Sequence, residues 1–159
     1  KNYFLTSGTL YSQLPEISGS ASAGIASDLD YDITFNRPQN LKGIAYAVIP
    51  FFGGDNSTWL RLILNHFDGT TETQMATAES KVVTNLTVMQ NIPLDIATIR
   101  HFKKGETLRL TVQVLHSGAA GIYAYGTDPA DRATTWMKGG AILSPTNKSS
   151  IYIPFVLKI

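Results

Sequence analysis

The chain has 159 residues, 43% of them apolar and 16% charged, and its 13 Lys and Arg nearly balance its 12 Asp and Glu for a formal charge of +1. That length and apolar share suit one folded domain with a buried core, and exclude a disordered chain. The near-zero charge argues against a nucleic-acid or membrane-surface binder, and the lack of cysteine excludes disulfides, thiol catalysis and Cys-containing zinc sites.

In chain order, residues 1–27 read as an arm or a loosely packed first strand of a single domain spanning 1–159, with 18–27, rich in Ser, Ala and Gly, the least ordered-looking stretch. The clearest strand covers 28–35, where Leu29, Tyr31, Ile33 and Phe35 alternate with Asp28, Asp30, Asp32 and Thr34. A period of two sends one set to a core and the other to water. Further strand runs cover 43–52, 59–67, 72–78, 80–88, 106–116, 121–126 and 149–159, and in 106–116 Leu108, Leu110, Val112 and Val114 form a second inward row.

Turn chemistry separates these runs. Asp68-Gly69 predicts a hairpin, and Lys103-Lys104-Gly105, Ser117-Gly118 and Lys138-Gly139-Gly140 supply glycine where the chain reverses. Pro50 and Pro154 sit inside apolar runs and predict edge or bulged strands, while Pro93 is placed in or beside a connection. Residues 94–99 fit either one helical turn or the start of a strand.

No window of 12 or more residues keeps a helical apolar stripe, and no apolar stretch approaches the roughly 20 residues of a membrane-spanning helix. About eight to ten strands with little helix predict an all-β, two-sheet antiparallel sandwich of jelly-roll type.

The stretch His101-Phe102-Lys103-Lys104-Gly105-Glu106-Thr107-Leu108-Arg109-Leu110-Thr111-Val112 resembles a turn and strand of compact jelly rolls, including the C1q and tumour-necrosis-factor families, with Glu106 where those families usually have Asp. With Gly126-Thr127-Asp128-Pro129-Ala130-Asp131-Arg132 and the closing Ile151-Tyr152-Ile153-Pro154-Phe155, the layout also resembles single jelly-roll virion proteins, capsid or decoration subunits of tailed phages and related viruses. That resemblance implies a structural subunit that self-associates through loops and edge strands, a homo-oligomer or a neighbour of other virion subunits, located in a virion or outside the cell. The basic N-terminal arm of genome-packaging capsids is missing, since Lys1 is the one base in residues 1–27.

Candidate chemistry is sparse. Asp28, Asp30 and Asp32 share one strand face, and clustered carboxylate oxygens are what Ca²⁺ prefers; the same pattern also describes a solvated strand face. Asp128, Asp131 and Arg132 gather charge in a Pro-containing turn suited to a subunit contact or a self-contained Asx turn. Trp136, Tyr123 and Tyr125 are aromatic rings of the kind that stack on sugars, giving a secreted carbohydrate-binding sandwich with a glycan partner as the alternative function. Sequons at Asn56, Asn85 and Asn147 are candidate glycosylation sites. His66, His101 and His116 are too far apart in sequence for paired metal-ligand spacing and read as strand-end residues. There is no G-x-S-x-G turn, no P-loop and no G-x-G-x-x-G, which together predict a chain that is not an enzyme and holds no cofactor.

Overall fold

The computed structural model describes residues 3–4, 16–21, 23–54, 58–83, 86–118, 121–127 and 149–156. Among these the secondary structure is all β: β1 (Tyr3–Phe4), β2 (Glu16–Ala21), β3 (Gly24–Thr34), β4 (Gln39–Gly53), β5 (Thr58–Phe67), β6 (Glu72–Glu79), β7 (Leu86–Phe102), β8 (Thr107–His116), β9 (Gly121–Gly126) and β10 (Ser150–Tyr152). One sheet runs β1-β3-β8-β5-β6, and the other runs β10-β4-β9-β2 with β7 paired to β4. Every pairing is antiparallel except that of the two-residue β1 with β3. The predicted two-sheet antiparallel β-sandwich is what the chain forms.

The inward rows make the core. From the first sheet come Tyr31, Leu60, Leu62, Leu64, Leu108, Leu110, Val112 and Val114; from the second come Ala45, Ala47, Ile49, Phe51, Ile92, Leu94, Ile96, Tyr123 and Tyr125. The sheets are also joined by polar atoms inside the sandwich. The Tyr31 hydroxyl on β3 donates to that of Tyr125 on β9 at 3.3 Å, and the Tyr123 hydroxyl donates to the Ala26 carbonyl at 3.3 Å. Buried tyrosines need such partners, because an unpaired hydroxyl in an apolar core costs more than the ring burial returns per atom.

Several expectations are corrected. Residues 18–27 contain the end of β2 and the start of β3. Of the two alternatives left open for residues 94–99, the structure has strand, within the 17-residue β7, where Leu94 and Ile96 face inward and Asp95 and Ala97 outward. The expected strand at 80–88 does not exist as one piece, since β6 ends at Glu79 and β7 begins at Leu86.

Pro50 lies on the central strand β4 rather than on an edge. It falls between Val48, the last β4 residue paired with β10, and Phe51, the first paired with β9, so its missing N–H lies where two neighbouring strands leave a gap. Pro93 is inside β7, which pairs only with β4; an edge strand tolerates a residue that cannot donate outward.

The Asp68-Gly69 hairpin forms as predicted between β5 and β6. The Asp68 Oδ1 accepts the Thr70 N–H at 2.9 Å, the Thr71 N–H at 2.7 Å and the Thr70 hydroxyl at 2.9 Å, while Gly69 takes φ 103°. Those donors hold the Asp68 carboxyl down at about 2, the backbone N–H of Thr71 contributing most. A carboxylate depressed in the folded state adds stability that is complete above its unfolded pKa near 3.8 and is lost as the pH falls through about 2. Asp68→Asn is therefore expected to lower the melting temperature at pH 7 and to flatten its dependence on pH between 4 and 2, as checked by thermal melts at stepped pH in that window; an unchanged acid profile would refute the assignment.

Candidate functional site

The polar outer face of the β3-β8-β5-β6 sheet is the most organised arrangement of functional groups among the described residues. Its origin is the alternation of β3 against β8: the register sets Asp28 opposite Gln113, Asp30 opposite Thr111 and Asp32 opposite Arg109. Each rung is closed by a hydrogen bond. Gln113 Nε2 donates to Asp28 at 3.2 Å, the Thr111 hydroxyl donates to Asp30 at 2.7 Å, and Arg109 Nε and Nη2 donate to the two Asp32 oxygens at 2.8 Å each.

Arg109 is the hub. Its Nη1 also donates to Glu72 of β6 at 2.6 Å and lies 3.6 Å from Asp30, and its guanidinium sits 5.3 Å from the centre of the Phe67 ring. The bidentate bond to Asp32 is the main cause that raises the Arg109 pKa above its ordinary value, partial burial opposing it, so this side chain is a permanent cation. Asn65 of β5 donates its Nδ2 to the other oxygen of Glu72, and at the far end of β5 Arg61 pairs with Glu79 at 2.8 Å.

A second cluster locks the corner where β7 leaves one sheet and β8 enters the other. Glu106 Oε2 accepts the Lys103 N–H at 2.8 Å and lies 2.7 Å from His66 Nε2 on β5, and the His66 ring packs on Phe102 with centroids 4.1 Å apart. Gly105 N–H donates to the Phe35 carbonyl at 2.8 Å, and Phe35 N–H donates to the Glu106 carbonyl at 3.0 Å. The Lys103 backbone N–H, more than the His66 ring, holds the Glu106 carboxyl below the usual range against the opposing effect of burial.

The structure does bring Asp28, Asp30 and Asp32 to one face, but each carboxylate turns toward its own partner on β8 instead of toward the other two. Among the described residues no group of three or more His, Asp or Glu is disposed to hold a metal ion. The three histidines stay apart: His66 pairs with Leu108 and His116 with Thr58, at opposite ends of the β5-β8 ladder, and His101 Nδ1 lies 2.7 Å from Asn40 Oδ1.

Tyr123 and Tyr125 are corrected from a candidate sugar-stacking surface to core, at 6% and 1% exposure. They are the inward members of β9, whose outward members are Ile122 and Ala124. Trp136, Arg132, Asp128, Asp131 and the sequon residues Asn56, Asn85 and Asn147 lie outside the described residues. What sequence reading missed is the Arg109 hub and the His66 to Glu106 pair. The available signal was Glu106 itself, an acid closing a basic turn.

No protein-family model matches this sequence, and no curated protein matches it. Among solved structures, two crystal structures of a CocE/NonD family hydrolase from Staphylococcus aureus are similar, with TM-scores of 0.61 and 0.63 at 15% and 14% identity. The likeness covers 97% and 98% of this chain, but 35% and 34% of the hydrolase. An aminopeptidase from a marine sediment archaeon, Thaumarchaeota archaeon, is similar with a TM-score of 0.55 at 11% identity, over 82% of this chain and 26% of its own. The chain thus spans about a third or less of these three solved chains, and at these identities what is shared is the fold.

The comparison corrects the expectation that the chain is not an enzyme. That expectation rested on missing motifs within 159 residues, whereas structures holding this same sandwich as a fraction of their length are a hydrolase and an aminopeptidase.

Removing the Arg109 fork leaves Asp32, Asp30 and Glu72 facing one another without their cation. Arg109→Lys keeps one charge but loses the bidentate geometry, and is expected to cost on the order of 1–2 kcal/mol, Arg109→Leu somewhat more. Urea denaturation at pH 7 measures both; equal stability of all three proteins would show the hub to be ornamental. Glu106→Gln is expected to lower the melting temperature above about pH 4.5 and to converge with the wild type in more acid solution, because a depressed carboxyl gives its stability above the unfolded pKa and loses it as the pH falls through the folded one.

Proposed function

We propose that this chain is the β-sandwich part of a larger hydrolytic enzyme. The observation that carries the reading is the asymmetry of coverage: nearly all of this chain aligns with a CocE/NonD family hydrolase, yet about two thirds of the hydrolase lies beyond the alignment. The archaeal aminopeptidase repeats the pattern, with this fold over 26% of its length. A sandwich whose outer polar groups are already closed by cross-strand bonds, as Asp32 is by Arg109, suits the work of a rigid support that positions neighbouring segments.

In this reading the domain contributes shape and fixed contacts, and the enzyme's substrate is set in part by what the sandwich holds in place. The test is made on the protein in its native source. An antibody raised against this chain is used to probe extracts by immunoblot and to collect the native protein, which is assayed with chromogenic ester and aminoacyl-anilide substrates. The expected result is a polypeptide or complex much larger than 17.3 kDa that hydrolyses one of the two classes. A native product of this chain alone, with neither activity in the collected material, overturns the proposal.

A further inference from the structure

β9 and β10 lie end to end along the same side of β4, and both run antiparallel to it. Gly53, Phe52 and Phe51 stand opposite Tyr123, Ala124 and Tyr125, and Val48, Ala47 and Tyr46 stand opposite Ser150, Ile151 and Tyr152. Between the two pieces only Pro50 and Ile49 of β4 are passed over. Continued in register, β9 would set Gly126 opposite Pro50 and Thr127 opposite Ile49, and Ser150 takes up the ladder at the next rung. Side-chain alternation runs through the break: Tyr125 and Ile151 meet the core, while Ala124 and Tyr152 belong to the outer face.

The break falls where β4 lacks a donor. In an antiparallel ladder every second residue pair exchanges hydrogen bonds. Gly54 N–H donates to the Ile122 carbonyl at 2.8 Å, so the bonded pairs would continue as Phe52 with Ala124 and Pro50 with Gly126. Proline has no N–H to give. The carbonyl of the buried Gly126 is met instead by the Ser149 hydroxyl, which donates to it at 2.6 Å. Ser149 thus supplies, from the far end of the 128–148 connection, the bond that Pro50 withholds, and ties the two ends of that connection together. A buried carbonyl left without a donor costs stability, so the replacement matters to the fold.

We propose that β9 and β10 are one strand opened by an insertion, residues 128–149, which the sandwich does not need in order to fold. Within it the Ser149 hydroxyl holds the opening in place by serving the carbonyl that Pro50 cannot. The inference stands on strand register and one hydrogen bond, and does not depend on the hydrolase reading.

Circular dichroism and thermal melting of two sets of variants test it. Removing 128–149 joins Thr127 to Ser150 and is expected to keep the β spectrum and a cooperative melt. Removing 128–150 instead moves Ile151 opposite Val48, onto the outer face, and is expected to melt lower, since a slip of one residue exchanges the faces. In the full chain, Ser149→Ala is expected to lower the melting temperature by about 2–4 °C, through loss of one hydrogen bond to a buried carbonyl. In a Pro50→Ala background, where position 50 regains its N–H, the same substitution is expected to cost markedly less. A 128–149 deletion that does not fold, with or without Pro50→Ala, or that melts no higher than the 128–150 deletion, overturns the insertion. An equal cost of Ser149→Ala in both backgrounds overturns the part given to Ser149.

Discussion

The rest of the sandwich is referred to one constraint, the two-residue period of β8. Its residues Leu108, Leu110, Val112 and Val114 must face the core, while Arg109, Thr111 and Gln113 must face out. Because β8 is paired on both sides, with β3 and with β5, a slip of one residue would drive Arg109 into the core and bring Leu110 to the surface. Apolar burial sets which face is inside, but it penalises a two-residue slip only weakly. The polar rungs to Asp28, Asp30 and Asp32 add that discrimination, since each side chain reaches its partner only in one alignment.

A fixed β8 also fixes how the chain changes sheets. The strand is entered through the Lys103-Lys104-Gly105 turn, whose Glu106 carboxylate is held by the Lys103 N–H and by His66 from β5. Beneath that turn Phe102 is fully buried and meets the Phe35 ring edge-on, 5.1 Å between centroids, just past the end of β3. The corner therefore ties β3, β5, β7 and β8 together through three kinds of contact, backbone, ionic and aromatic. Its carboxylate works as a structural acceptor, a role a local motif search for catalysis does not register.

Much of this was legible in the sequence, and the unreadable remainder has definite causes. The alternation in 28–35 and 106–116 gave β3 and β8 with their faces correctly assigned. β2 was obscured because it is built of small residues, and the structure shows the need for them: a Cβ on Gly19 would come within 2.8 Å of the Tyr123 hydroxyl, so the ring lies over the bare backbone. Arg109 and Asp32 are 77 residues apart, and nothing local announces that they will share a rung; their meeting is a property of register. Tyr123 and Tyr125 were misplaced for a related reason. Their alternation with Ile122 and Ala124 gave the period but not which side the second sheet would cover.

The run 44–52 carried information of a different kind. As a candidate strand it was unremarkable, but its apolar residues do not alternate, and in the structure that excess becomes an outward row on β4. Two of the sheet edges are poorly suited to strand addition: β7, beside it, carries Pro93, which cannot donate outward, and β6, on the other sheet, begins with Glu72 and ends with Glu79. Association by strand addition, the route expected from edge strands, is therefore hindered at those two edges. The exposed apolar side chains of β4, Ile44 and Tyr46, lie instead on a face whose backbone is already paired.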